Sequence, residues 1–139
     1  LHEDPIPLYG DGRQVRNWLF VDDFCRAIDL VLEKGEAGSV YNVGGPDELP
    51  NIDVISRILE LTGRDESLIS HVDDRLGHDT RYSLSSGRVE ALGWQALIGF
   101  DEGIARTVDW YRENSDWWAP LRSGEYREYY QRQYGRELG

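Results

Sequence analysis

Two stretches of this chain place arginine beside glycine and an aromatic ring. They are Pro7-Leu8-Tyr9-Gly10-Asp11-Gly12-Arg13-Gln14-Val15-Arg16-Asn17-Trp18 and Asp74-Arg75-Leu76-Gly77-His78-Asp79-Thr80-Arg81-Tyr82. The chemistry these residue types suit is the grip on a nucleoside diphosphate. A guanidinium fork matches two phosphate oxygens, a ring offers a base a stacking face, and glycine lets backbone come close. Arg16 and Arg75 lead the candidates, because a chain of net charge -11 repels an anion unless local cations overcome it. The competing reading for each is a surface ion pair with one of the 26 acidic residues, worth about 0 to 1 kcal/mol. His78 stands between Gly77 and Asp79, so the Asp79 carboxylate can orient its ring while the ring donates to a phosphate or sugar oxygen. His2 and His71 lie at no ligand spacing from it, and neither a metal nor an acid/base role is assigned.

Elements must hold these stretches in place. Pro5 and Pro7 keep the start of the chain extended, and Gly10-Asp11-Gly12 supplies a turn. The pattern predicts a helix capped by Asp22, with Phe24, Ala27, Ile28, Val31 and Leu32 as its apolar stripe and Gly35 at its end. Cys25 in that helix reads as a small buried hydrophobe. Ser39 to Val43 reads as a short strand closed by Gly44-Gly45-Pro46. A second helix, capped by Asn51, carries Ile52, Ile55, Ile58 and Leu59 and stops at Gly63. Ile69 to Val72 reads as a strand leading into the Arg75 loop, Gly87 to Leu92 as a helical turn, and Asp101 as the cap of a helix carrying Ile104, Val108 and Tyr111. Trp117, Trp118, Tyr126, Tyr129, Tyr130 and Tyr134 are too aromatic a set for a disordered tail and are expected to pack back on the body. Strands and helices alternate, so the fold class is α/β.

At 139 residues, with 40% hydrophobic and 29% charged, the chain can build one domain's core. Its acidic balance disfavours nucleic acid, no stretch approaches the roughly 20 apolar residues of a membrane span, and its single cysteine favours a reducing cytoplasm. Lys34 is the only lysine; an acidic, arginine-dominated surface fits a salt-loving or high-GC source. The glycine pattern nearest to a dinucleotide fingerprint, Gly35-Glu36-Ala37-Gly38, meets Tyr41 where a third glycine belongs and precedes an expected strand, so no cofactor site is claimed. With no methionine and Leu1 at its start, the chain is read as a fragment.

Taken in order, Pro7-Leu8-Tyr9-Gly10-Asp11-Gly12, Val15-Arg16-Asn17-Trp18, Val40-Tyr41-Asn42-Val43-Gly44-Gly45, Asp74-Arg75-Leu76-Gly77-His78-Asp79, Leu92-Gly93-Trp94, Thr107-Val108-Asp109-Trp110-Tyr111 and Ser123-Gly124-Glu125-Tyr126 resemble the C-terminal portion of the dTDP-glucose 4,6-dehydratase family. This family belongs to the extended short-chain dehydrogenase/reductases. The resemblance implies nucleotide contacts at Pro7, Tyr9, Arg16, Asn51, Arg75, His78 and Tyr134, with Pro7 and Tyr9 lining the base and ribose pocket. It implies that residues 1–62 border an NAD-binding Rossmann domain, whose parallel sheet the helix near 22–34 and the strand near 39–43 would finish, and that 63–139 form the substrate lobe. That strand would then lack its usual neighbour, and an unpaired edge invites self-association. For the parent enzyme it implies oxidation at the sugar C4 by NAD, loss of water across C5 and C6, and hydride return to C6. NAD would be held upstream, together with a catalytic tyrosine four positions before a lysine; Leu30 stands at that distance from Lys34. The expected partners are dTDP-glucose or a related nucleotide-sugar and a second copy of the protein. The fragment alone would be inactive. Asn17 stands where the family more often has aspartate, and the chain runs one residue short between Gly87 and Leu92. A nucleotide-sugar epimerase or decarboxylase of the same superfamily, and a stand-alone binding module, are the rival readings.

Overall fold

The proline-restrained start is a strand, β1 (Ile6–Tyr9), in the computed structural model of the chain, which describes residues 4–123. Its partner is the parallel β2 (Ile69–Val72), with Ile6 opposite Ile69 and Tyr9 opposite Val72. After Tyr9 the chain turns through Gly10 and Gly12, both at positive φ. A side chain at Gly12 would come within 2.7 Å of Leu8 Cδ2, so the turn and the buried Leu8 together require glycine. The chain returns as β3 (Val15–Trp18), antiparallel to β4 (Asp47–Pro50), with Val15 opposite Pro50 and Trp18 opposite Asp47. A parallel bridge between Val15 and Arg81 fastens the loop after β2 onto β3: Val15 N–H donates to Thr80 O at 2.8 Å and Tyr82 N–H to Val15 O at 3.1 Å.

Helix α1 (Val21–Lys34) starts one residue before the expected cap. Phe20 is its N-cap, and Asp22 and Asp23 lie in the first turn, where carboxylates face the positive end of the helix. Asp23 is fully buried. Its Oδ2 accepts from Leu97 N–H and Ile98 N–H, each at 3.0 Å, its Oδ1 pairs with Arg26, and its backbone carbonyl accepts from Trp94 Nε1 at 3.0 Å. Around that anchor Ala27, Val89 and Trp94 form the core, with Leu19, Leu30, Val31, Tyr41, Val43 and Ala96 packed against it. The apolar stripe of α1 is wider than the surface that covers it. Val21, Phe24, Ile28 and Leu32 are exposed, and so is Cys25, against the expectation of burial.

Residues 39–43 are not a strand. No strand lies beside them among the described residues, and Tyr41 and Val43 act instead as side chains packed on the core. The segment has no strand neighbour among the described residues, as expected of a strand whose partner lies outside the chain.

Helix α2 (Asn51–Thr62) buries Val54 and Leu59 and ends, as expected, at a left-handed Gly63. Its N-cap is Pro50, and Asn51 is its first residue rather than its cap. A tight turn at Glu66–Leu68 leads into β2, and the short α3 (Gly87–Glu90) is followed by a turn to Gly93. Helix α4 (Phe100–Glu113) also begins before its expected cap. Asp101 lies in its first turn, while the Asp47 side chain accepts from Phe100 N–H at 2.8 Å.

The chain divides into two compact units between Arg106 and Thr107. In the second, the end of α4 and α5 (Ser115–Ser123, with Pro120 inside it) bring Trp110 edge-on to Trp117 at 5.4 Å, and Trp118 Nε1 donates to Tyr111 O at 2.7 Å. The expected packing of Tyr126, Tyr129, Tyr130 and Tyr134 lies outside the described residues. No helix among those described is long and apolar enough to cross a membrane.

Candidate functional site

The parallel pairing of β1 with β2 delivers the C-terminal ends of both strands to one place, and the two arginine-bearing stretches leave from there. Gly10 N–H continues the ladder to Val72 O at 2.9 Å, and His71 Nδ1 lies 2.7 Å from Gly10 O. The loop from Asp73 then runs back until Thr80 and Tyr82 dock on β3. Tyr9 at the end of β1, Arg16 on β3 and Arg75 and His78 in the loop thereby become neighbours.

They form a chain of contacts. The Arg75 guanidinium lies 6.0 Å from the Tyr9 ring centre, the Tyr9 and His78 rings meet edge to face at 5.9 Å, and Arg16 Nη2 is 3.1 Å from His78 Nε2. Arg16 also donates to Val15 O at 2.7 Å and Asp79 O at 3.2 Å, and its guanidinium stacks 4.3 Å from the Tyr82 ring centre. Neither Arg16 nor Arg75 pairs with a carboxylate among the described residues, whereas Arg13, Arg26, Arg57, Arg81, Arg106 and Arg112 all do. The surface-ion-pair reading of these two arginines thus loses its partner.

The carboxylate that orients His78 is Asp74, not Asp79. His78 Nδ1 lies 2.6 Å from Asp74 Oδ1, with the His78 side chain only 5% exposed. The separation of four residues lets the loop curl back on itself, while Asp79 turns away and accepts from the Tyr82 hydroxyl. That bond to Asp79 raises the Tyr82 phenol above its ordinary pKa. The His78 hydrogen bond is the main cause holding Asp74 below its own. Behind Asp74, Gln14 is buried and donates from Nε2 to Asp74 Oδ2 at 3.1 Å, while its Oε1 has no partner. Glu48 of β4 accepts from Arg81 and Ser83, which hold its carboxyl below the usual range and tie the end of the loop to the sheet.

Pro7 lies two residues before Tyr9 on β1, on the same face and exposed. Asn51 reaches this region through backbone alone. Its N–H donates to Gln14 O at 3.1 Å, and the next N–H, of Ile52, to Gly12 O at 3.0 Å, so neither is directed at an anion. Tyr134 lies outside the described residues. Asn17 uses both ends of its amide on one peptide, accepting from Gly45 N–H at 2.5 Å and donating to Gly45 O at 2.9 Å, which an aspartate cannot do. Gly45 fits there because any side chain would collide with Trp18 O.

Asp74 and Gln14 were within the quoted motifs but had no signal marking them as the support of His78. The arrangement offers cationic and aromatic groups, without a metal cluster among the described residues.

Comparison with known proteins places the chain. The family described as GDP-mannose 4,6 dehydratase matches residues 1–107. A probable dTDP-glucose 4,6-dehydratase of Sinorhizobium fredii is 47% identical over 136 residues, 91% of this chain but 38% of that protein. The solved dTDP-glucose 4,6-dehydratase of Streptomyces venezuelae, with NAD and TYD bound, is 50% identical with a TM-score of 0.80 over 85% of this chain and 37% of its own. A UDP-glucose 4-epimerase from Thermotoga maritima, solved with UDP-glucose, is 28% identical at a TM-score of 0.74, covering 81% of this chain and 36% of its own.

Proposed function

Because the chain belongs to the family described as GDP-mannose 4,6 dehydratase, we propose that it is the nucleotide-sugar-binding part of a dTDP-glucose 4,6-dehydratase. The whole protein then converts dTDP-glucose to dTDP-4-keto-6-deoxyglucose with net loss of water, a step in deoxysugar (for example rhamnose) biosynthesis. The observation that carries this reading is the contact chain Arg75, Tyr9, His78, Arg16, with both guanidiniums free of carboxylate partners among the described residues of a strongly acidic chain. Arg16 and Arg75 hold the diphosphate, and Tyr9 and Pro7 border the base and ribose. Held at this distance from the reacting carbons, the nucleotide contributes binding energy that orients the sugar.

The glycine-bearing segment 35–38 does not fit NAD. Gly35 closes the C-terminus of α1 and residues 36–38 form a turn after it, the opposite of the strand-to-helix turn that cradles a pyrophosphate. NAD and the groups that act on the sugar belong, in this proposal, to a Rossmann domain outside the chain. Residues 1–62 border that domain, the exposed stripe of α1 facing it, and 63–139 form the substrate lobe. The 139 residues alone are then inactive, and the whole protein is a cytoplasmic homo-oligomer.

Titration calorimetry of the chain with dTDP, UDP and GDP tests the reading. A preference for dTDP supports it. Equal affinities, or a preference for UDP, would overturn it in favour of another nucleotide-sugar enzyme.

A further inference from the structure

Arginine has no acceptor, so the 3.1 Å contact from Arg16 Nη2 requires a lone pair on His78 Nε2. A neutral imidazole has one N–H, which must then sit on Nδ1, the nitrogen 2.6 Å from Asp74 Oδ1. The Asp74 carboxylate is itself held in three ways: Oδ1 also accepts from Arg75 N–H at 2.9 Å, and Oδ2 accepts from Gln14 Nε2. Gln14 is 5% exposed, and its orientation is set by that carboxylate, since a flipped amide would turn its oxygen toward Asp74.

We infer that Asp74 is a positioning residue, which fixes His78 as the Nδ1–H tautomer and through its Nε2 lone pair seats the Arg16 guanidinium for the diphosphate; this rests on the function proposed above. Three of the five Arg16 donors are then committed, to Val15 O, His78 Nε2 and Asp79 O, with the Tyr82 ring against its face. The guanidinium is held in one plane before any ligand arrives, so little side-chain freedom is lost on binding. Without Asp74 the His78 proton is free to move to Nε2, where it would point N–H at N–H, and Arg16 loses its seat.

The test compares Asp74→Leu with Asp74→Asn in the 139-residue chain, after thermal melts establish that each folds. An asparagine keeps an acceptor for Nδ1–H, and the partnerless Gln14 Oε1 can take its amide hydrogen by a flip of the glutamine. Nitrogen-15 NMR of the His78 ring, recorded without ligand, should show the proton on Nδ1 in the unmutated chain and in Asp74→Asn. Asp74→Leu should show it shared with or moved to Nε2. Calorimetry with dTDP should show a loss of about tenfold for Asp74→Leu and a smaller one for Asp74→Asn. An Nε2–H tautomer in the unmutated chain, or one unchanged in Asp74→Leu, overturns the inference, as does equal dTDP affinity in all three. Failure of the unmutated chain to bind dTDP overturns the proposed function instead, and the ring spectra still decide what Asp74 does to His78.

Discussion

Arg75 and Arg16 do different work although both are arginines beside a ring. Arg16 is clamped by two carbonyls, an imidazole and the Tyr82 face, whereas the Arg75 side chain has no hydrogen bond or ion pair among the described residues and lies near the Tyr9 ring. In the proposed function Arg75 is therefore the group whose open fork meets a phosphate. Replacing it with alanine should weaken dTDP binding about ten- to a hundredfold, the loss of a charge-assisted contact. Arg75→Lys should recover only part, because an ammonium lacks the planar fork. Calorimetry that shows both variants binding like the unmutated chain would remove the loop from the phosphate site. The expectation that Arg16, Arg75 and His78 act together was drawn from their types and neighbours, and the fold does gather them around Tyr9 and His78. That Asp74 rather than Asp79 would hold the imidazole was not legible in the sequence, because adjacency in sequence says nothing about which carboxylate a curling loop turns inward.

Among the elements, two carboxylates act as fasteners. Asp23→Ala would strip the acceptor from Leu97 N–H and Ile98 N–H and leave Arg26 without its partner, at a cost of about 3 kcal/mol, read as a lower urea midpoint. Glu48 fastens β4 to the end of the Arg75 loop, and its pKa lies below the ordinary value. A carboxyl depressed in the folded state contributes stability that is complete above the unfolded pKa, about 4.3, and is lost as pH falls through the folded one. Glu48→Gln should thus flatten the decline of the melting temperature below about pH 4, while changing its pH dependence little near neutrality. Melts between pH 2.5 and 7 would show this, and parallel curves for the two proteins would deny it. Elements with a clear period or turn, β1, β2, α1, α2 and α4, were readable in advance. Residues 39–43 had strand composition without a neighbour to pair with, and β4 had a neighbour without strand composition, being Asp47-Glu48-Leu49-Pro50. Pairing decides a strand, and pairing is a property of the folded chain. The starts of α2 and α4 were misplaced because backbone carbonyls of the Gly12–Gln14 turn and the Asp47 side chain, respectively, satisfy N–H groups that local caps were expected to serve.

At the scale of the whole molecule, the chain spans 38% of the Sinorhizobium relative's length, and the proposed division of labour leaves it with the grip and without the sugar chemistry. Purified chain supplied with NAD and dTDP-glucose should form no 4-keto sugar, judged by its alkaline chromophore; formation of that product would overturn the assignment. The loop that bears Arg75 and His78 has a second consequence. Two-stranded sheets are marginal on their own, and this loop, leaving β2 and docking on β3 through Val15, fastens together the two that the Gly10–Gly12 turn connects. A ligand that recognises only the docked loop is therefore coupled to the folding equilibrium. At about 100 times its dissociation constant it adds roughly 2.7 kcal/mol to the native state. Saturating dTDP should raise the melting temperature by several degrees and slow amide exchange at Val15 and Tyr82, the two N–H groups of the bridge. The nucleotide would then be a clasp for the fold as well as a substrate handle, and the chain sturdiest when it is carrying its cargo.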